Sequence, residues 1–500
     1  GPCVGVEAVM TLASLNLWVI APEILLSVVA CLVLLVDLFV PANRRPGVGY
    51  PLALFALLGA AMASLMGLDS GSMTALNGLV ISDGVGAVLK AGTGIGTAGV
   101  LIYSREYARA RGLWRAEYLV LILFAVVGMM TMIGANHLLT LYVGLELLAL
   151  CLYSMIGMQR DSVRAAEAAM KYFVLGALAS GILLYGMSLL YGLTGTLSLA
   201  ELASSSGSFA PTNLPLLTAV VLIVAGLLFK LGVVPFHMWV PDVYDGSATS
   251  TTLFLSSVPK LAAFAIMLRL LAYGLGDWVS AWQDMLAIAA VLSISVGNIV
   301  AIAQTSIKRM LGYSTISHMG FLLLGFLGGT AHGYSASLSY VVIYTVITLG
   351  AFGIILLLSK PQFESDALDD LKGLNHRRPG LAFLMLIVMF SLAGIPPTAG
   401  FFAKLLVLQA ALENGFLWSV IVAVVMAVVG AFYYLRVVKM MYFDLPDKDD
   451  QVLSAPELDH VSTAARWVLT VNVLSLVLVV PWIGNLVDWL TRALGTFGRP

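Results

Sequence analysis

The stretch LLFKLGVVPFHMWVPDVYDGSATSTTLFLSSVPK, residues 227–260, decides how this chain is read. Apolar sequence flanks it on both sides, yet it carries Lys230 and Lys260, Pro235 and Pro241, and Pro259 directly before the second lysine. A lysine at membrane depth costs roughly 2.5–3.5 kcal/mol on insertion scales, and such residues usually serve a function. A proline there removes one helix hydrogen bond and releases the carbonyl four residues back. The released carbonyls are expected at Leu231, for Pro235, and at Leu255, for Pro259. Charge and interrupted helix together mark a place where water, protons or ions enter the interior of a bilayer protein.

The rest of the chain agrees with that setting. Its 500 residues are 60% hydrophobic and 11% charged, against about 25% charged in soluble domains. This is an all-α integral membrane protein. The net charge of -1 offers no basic surface for nucleic acid. Cys3, Cys31 and Cys151 form no CxxC pair, so neither an iron–sulfur centre nor another metal site is expected. No phosphate-binding loop of the GxxxxGK[ST] type is present, and no cofactor site is expected. The glycine-rich GTGIGTAG at 92–99 falls inside a span and reads as close helix packing through small residues. Met10 is a candidate start, and residues 1–9 are left open.

With a span of about 20 residues, the hydropathy predicts about fourteen membrane helices, near 17–40, 49–68, 79–103, 117–135, 137–158, 165–191, 214–240, 247–273, 278–302, 308–329, 333–359, 380–412, 415–443 and 463–490. Lys and Arg concentrate in alternate loops, among them Arg105, Arg109, Arg111 and Arg115, Lys308 and Arg309, and Arg377 and Arg378. The opposite side holds only Arg269, Arg492 and Arg499. By the positive-inside rule both termini face outward. Within spans remain Lys90, Lys171, Lys230, Lys260 and Lys404. Lys171 is expected to snorkel to the interface, and Lys90 to pair with Asp83, two turns away on its own helix.

The seventh helix breaks at Gly232–Pro235 and the twelfth at Gly394-Ile-Pro396-Pro397. Five helices separate the breaks, and an odd offset makes the two units cross in opposite directions, as inverted repeats do. The expected division is 1–116, three N-terminal helices; 117–273, helices four to eight; 274–443, helices nine to thirteen; and 444–500, a loop and the last helix.

Glu146 lies mid-helix in LYVGLELLALCLY, far from any loop. A lone buried carboxylate is protonated, whereas one beside a cation stays charged. Lys230 is the natural partner, and a coupled pair of this kind shifts protons when a nearby charge changes. The alternative is a static ion pair that locks two helices. Lys260 and Lys404 extend the series, with His318, in GYSTISHMGF, as a relay of near-neutral titration. His318 as a plain packing residue stays open, and His237, beside the first break, is the weakest member.

KLGVVPFHMWVPDVYDGS, SSVPKLAAF, KRMLGYSTISHMGF and LAGIPPTAGFFAK resemble the antiporter-like subunits of respiratory complex I over nearly the whole chain, the N-type subunits of the bacterial NADH:quinone oxidoreductase most of all. The resemblance implies fourteen helices in two inverted five-helix repeats and one proton path. Glu146 and Lys230 match the family's buried pair, Lys260 its lysine on helix eight, and Lys404 its terminal lysine on helix twelve. It further implies a translocase subunit of the bacterial inner membrane, partnered by other complex I membrane subunits and lipids. FMN, iron–sulfur clusters and quinone would belong to partner subunits, with none in this one. A cation/proton antiporter subunit of the Mrp type shares these residues and is the second reading; a scaffold whose buried charges only fix helix register is the third.

Overall fold

The computed structural model describes residues 15–40, 47–68, 71–204, 213–359, 364, 366–445 and 462–497. Among these the chain is almost entirely helical, with one short hairpin pairing Met73–Ala75 with Val80–Ser82. Eleven helices are long and apolar enough to cross a membrane, and up to twelve if the bent pair Thr463–Leu478 and Val480–Leu494 is one span. The ranges expected for helices ten and twelve hold Ile307–Leu324 and two short pieces, Pro379–Ala393 and Ala399–Glu413.

The expected seventh span is shorter than its hydropathy suggests. Leu214–Leu231 stops at Gly232, and the chain resumes as the eight-residue helix Trp239–Gly246. The next span is interrupted too, between Thr249–Ser256 and Pro259–Met267, where Pro259 takes the first helical position that suits its missing N–H. Because the apolar core of Thr249–Gly274 is buried inside the molecule, its interruption opens onto protein rather than lipid, a setting that tolerates irregular backbone at this depth.

Small residues let the helices approach. A Cβ on Gly94 would lie 2.7 Å from the Leu57 carbonyl, and one on Gly96 would lie 3.0 Å from Val258. The glycine-rich run at 92–99 is a packing surface, as expected. Gly128 and Gly144 bring the helices Ala116–Ile133 and Leu138–Ile156 together in the same way.

Three charged residues sit differently from their sequence reading. Lys90 pairs with Glu23 of the first span at 2.6 Å, not with Asp83. Asp83 instead caps its own helix and takes a two-pronged bond, 2.6 and 3.0 Å, from Arg269. Arg269 is therefore no loop residue: it is 2% exposed and also donates to the Ile133 carbonyl. Local spacing could not find these partners, because both lie on distant helices. Removing one member of such a buried pair strands the other's charge. Arg269→Ala is expected to cost roughly 3–5 kcal/mol, read as an earlier thermal loss of the folded chain in detergent, while Lys439→Ala at an exposed pair leaves the midpoint unchanged.

The face rich in Lys and Arg is laced by contacts between segments far apart in sequence. Lys171 bridges Glu167 and Asp242, each at 2.8 Å, and Arg309 reaches Asp242 from the other side at 2.7 Å. This agrees with an interfacial role for Lys171. Lys308 is buried rather than in a loop, and donates to the Ser247 carbonyl at 2.9 Å. Glu364 accepts from Tyr107 and Thr249 and pairs with Arg111. Burial works to raise its pKa but is outweighed, the Lys308 charge first, so the carboxyl is held below its ordinary range.

Candidate functional site

The two helix breaks are built alike. Each first half ends on a glycine in the left-handed region, Gly232 at φ 78° and Gly394 at φ 80°, a conformation that side chains disfavour. In each, the glycine N–H reaches back to the carbonyls three and four residues earlier, and the next residue, Val233 or Ile395, bonds the carbonyl five back. Three residues after each glycine comes a cis proline, Pro235 or Pro397. The first break also ties its Val234 N–H to the Ser293 hydroxyl at 2.9 Å.

Each break leaves carbonyls at the end of its first half, and in each a lysine takes them. Lys260 Nζ donates to the Leu231 carbonyl at 2.9 Å, the one expected to be released by Pro235. Lys404 Nζ donates to Leu392 and Ala393, at 2.8 and 3.0 Å, the carbonyls four residues before Pro396 and Pro397. A helix C-terminus carries partial negative charge, so a cation there is favoured over one in plain hydrocarbon. Both lysines also lie over an aromatic ring, Lys260 over Trp239 at 5.5 Å and Lys404 over Phe321 at 5.1 Å.

Lys230 lies in the last turn before the first break and is only partly enclosed. Its Nζ donates to the Ser180 hydroxyl at 3.3 Å. Glu146 is the carboxylate whose charge acts on it, but the two do not close to a direct ion pair within 4.0 Å. Glu146 keeps one buried carboxyl oxygen without a hydrogen-bond partner. The expected contact is thus an electrostatic pairing across a gap.

Lys230 and Lys260 line one cavity, together with Tyr172, Trp239 and Pro259. About 30 Å³ of it is open to the centres of water molecules, and one water needs roughly 10–15 Å³ on this measure. That is room for about two waters, with two lysines and a tyrosine among the lining residues.

His318 is fully engaged. Its Nδ1 shares a hydrogen bond with Tyr340 at 2.6 Å and its Nε2 one with Tyr434 at 3.2 Å, and Tyr434 shares another with Ser314 at 2.5 Å. Phe321 stacks on Tyr340 and stands between this cluster and Lys404. His237 joins neither lysine: its Nδ1 is buried without a partner, next to an exposed Pro235. Pro396 and Pro397 are likewise exposed on the outside of their break. Ser180, Tyr340 and Tyr434 were not singled out from sequence. Hydroxyls inside apolar spans, as in GYSTISH and FYYLR, were the available signal.

A family model described as the transmembrane region of NADH:quinone oxidoreductase and Mrp antiporters matches residues 135–430. The NADH-quinone oxidoreductase subunit N of Thiobacillus denitrificans is 53% identical over 475 residues, 95% of this chain and 97% of that protein. Among solved structures, a chain of respiratory complex I from Thermus thermophilus has a TM-score of 0.73 and 32% identity, covering 92% of this chain and 98% of its own. A chain of the Mrp complex from Dietzia sp. has a TM-score of 0.82 over 98% of both chains, but 22% identity, a likeness of fold alone.

Proposed function

Since the chain belongs to the NADH:quinone oxidoreductase/Mrp antiporter membrane family, and within it to the N-type subunits of NADH-quinone oxidoreductase, we propose that it carries protons across the membrane through Glu146, Lys230, Lys260 and Lys404. NADH oxidation, with its FMN, iron–sulfur clusters and quinone, belongs on this reading to partner subunits, and the chain works in the bacterial inner membrane beside the other membrane subunits. On the same reading the chain divides into inverted units at 117–273 and 274–443, preceded by the segment 1–116 and followed by 444–500.

One observation carries the reading: Lys230 and Lys260 share a cavity with room for water. Both are amines, so a proton arriving on one disfavours charge on the other. When the charge of Glu146 is removed or screened, Lys230 loses its reason to hold a proton, and water provides the route to Lys260. Lys260 keeps its bond to the Leu231 carbonyl whether charged or neutral, since an amine donates in both states. Its position is therefore held through the cycle. His318 and its tyrosines lead toward the second break, where Lys404 is held the same way.

Filling the cavity tests this without touching a titratable group. Ala263 lines it and is 5% exposed. Ala263→Leu is expected to leave the complex assembled, at roughly 1–3 kcal/mol of overpacking, and to depress NADH-driven pumping in inverted membrane vesicles. Undiminished pumping in the assembled variant means that no water bridge joins the two lysines. Sodium-driven exchange without NADH, or any partner redox subunit, would move the chain to the antiporter reading.

A further inference from the structure

Both ring nitrogens of His318 are occupied, and by groups of one kind. Tyr340, on the helix Ala331–Leu358, shares a hydrogen bond with Nδ1 at 2.6 Å, and Tyr434, on the helix Leu417–Tyr442, shares one with Nε2 at 3.2 Å. Tyr434 shares a second with Ser314 at 2.5 Å. Ser314, Tyr434, His318 and Tyr340 thus form one hydrogen-bonded series drawn from three helices, and each of them is at most 4% exposed. The series has two distinct ends. Ser314 stands four residues before His318 on the helix Ile307–Leu324, whose first turn carries Lys308 and Arg309. Tyr340 lies on the other side of the imidazole, stacked on Phe321, over which Lys404 is held. The charge of Lys404 acts on His318. One end therefore lies toward the face rich in Lys and Arg, and the other toward the second break.

Every member can accept and donate at once. A hydroxyl does both, and a neutral imidazole donates from one nitrogen and accepts at the other. The bonds can therefore all run one way, with Ser314 donating to Tyr434, Tyr434 to Nε2, and Nδ1 to Tyr340. They can equally all run the other way, with the imidazole in its other tautomer. In a buried site such bonds polarise one another, which favours the two concerted arrangements over mixed ones.

We propose that Tyr434 and Tyr340 are proton-transfer residues, the two hydroxyls through which His318 passes a proton from the Ser314 side to the second break. A proton taken up by the Ser314 oxygen sends that hydroxyl's own proton to Tyr434. The Tyr434 proton moves to Nε2, the Nδ1 proton to Tyr340, and the Tyr340 proton onward. One proton enters and one leaves, every O–H or N–H bond broken is replaced by another, and His318 changes tautomer. The bonds then run the opposite way, so the hydroxyls and the ring must turn back before a second proton follows. This assignment rests on the proton-carrying role proposed above.

Phenylalanine removes one oxygen and keeps the ring. In the whole complex, Tyr434→Phe and Tyr340→Phe are each expected to assemble and to lose NADH-driven pumping in inverted membrane vesicles. The loss should be roughly a hundredfold, the low end for a positioned proton-transfer group. Tyr344→Phe is the control, since Tyr344 is equally buried and its ring lies 5.3 Å from that of His318, but its hydroxyl donates to Thr315 at 2.8 Å, outside the series. It should pump as the wild type does. Fluorotyrosine placed at 434 or 340 gives a more acidic hydroxyl on nearly the same shape and should change the pumping rate, whereas at 344 it should not. Undiminished pumping in Tyr434→Phe or Tyr340→Phe overturns the proposal. An equal loss in Tyr344→Phe overturns it too, because the hydroxyls would then be packing groups. Lys230→Ala separates the relay from the wider reading: if it abolishes pumping while the tyrosine variants keep it, the relay alone falls. If a phenylalanine variant fails to assemble, fluorotyrosine at the same position decides.

Discussion

A complex carrying Lys230→Ala is expected to assemble as the wild type does on a native gel, while NADH-linked quinone reduction and proton pumping fall together. The fall should be roughly a hundredfold, the low end of what a positioned proton-transfer group contributes. Assembly survives because little of the fold depends on this amine. Lys230 makes one hydrogen bond, to Ser180, worth about 0.5–1.5 kcal/mol, and its helix is already closed by Gly232. On the proposed reading function depends on it, since Lys230 is the cation that Glu146 acts on and lines one cavity with Lys260. Glu146→Ala should match it, for the partner is removed from the other side. Near-normal pumping in either assembled variant would end the central role given to the pair. A complex that no longer assembles would favour the static lock, in which the charges hold two helices and move nothing.

How much of this was legible in the sequence follows from the range over which each cause acts. The loss of a helix hydrogen bond at a proline is local, so Pro235, Pro396 and Pro397 announce both breaks, and Pro235 alone points to the Leu231 carbonyl. What takes a released carbonyl is not local. Lys260 reaches Leu231 across 29 residues and Lys404 reaches back 11 and 12, and nothing in residue spacing distinguishes these lysines from Lys90, which closes an ion pair with Glu23. The pairing of Lys90 with Asp83 failed for the same reason: the helical period supplies neighbours on one helix, whereas buried charges here choose partners on another. Arg269 misled more simply. Its position near a span end suggested a loop, but a two-pronged bond to Asp83 holds it 2% exposed. His318 lies between the two cases. Its chemistry was visible, but the tyrosines that occupy both ring nitrogens come from helices 22 and 116 residues away.

Lys404→Ala is expected to abolish most pumping, with Lys404→Glu intermediate between it and the wild type. The amine holds two carbonyls, of Leu392 and Ala393, at the end of the broken helix. Alanine leaves both without a donor, at about 1–3 kcal/mol for each buried group, and removes the titratable side chain held at the break. A glutamate that carries its proton donates once and accepts at its other oxygen, so one carbonyl is served and a group that exchanges protons remains. The ionised form meets carbonyl oxygens and the negative end of a helix, and this holds the variant below the wild type. Space works in the same direction: the Lys404 stem packs on Gly394, where even an added Cβ would lie 2.9 Å from it, so the shorter glutamate enters without displacing backbone. Pumping in vesicles of the three assembled complexes gives the order. If glutamate loses as much as alanine, titration alone is not enough, and the position requires an amine that donates to the break in both of its charge states.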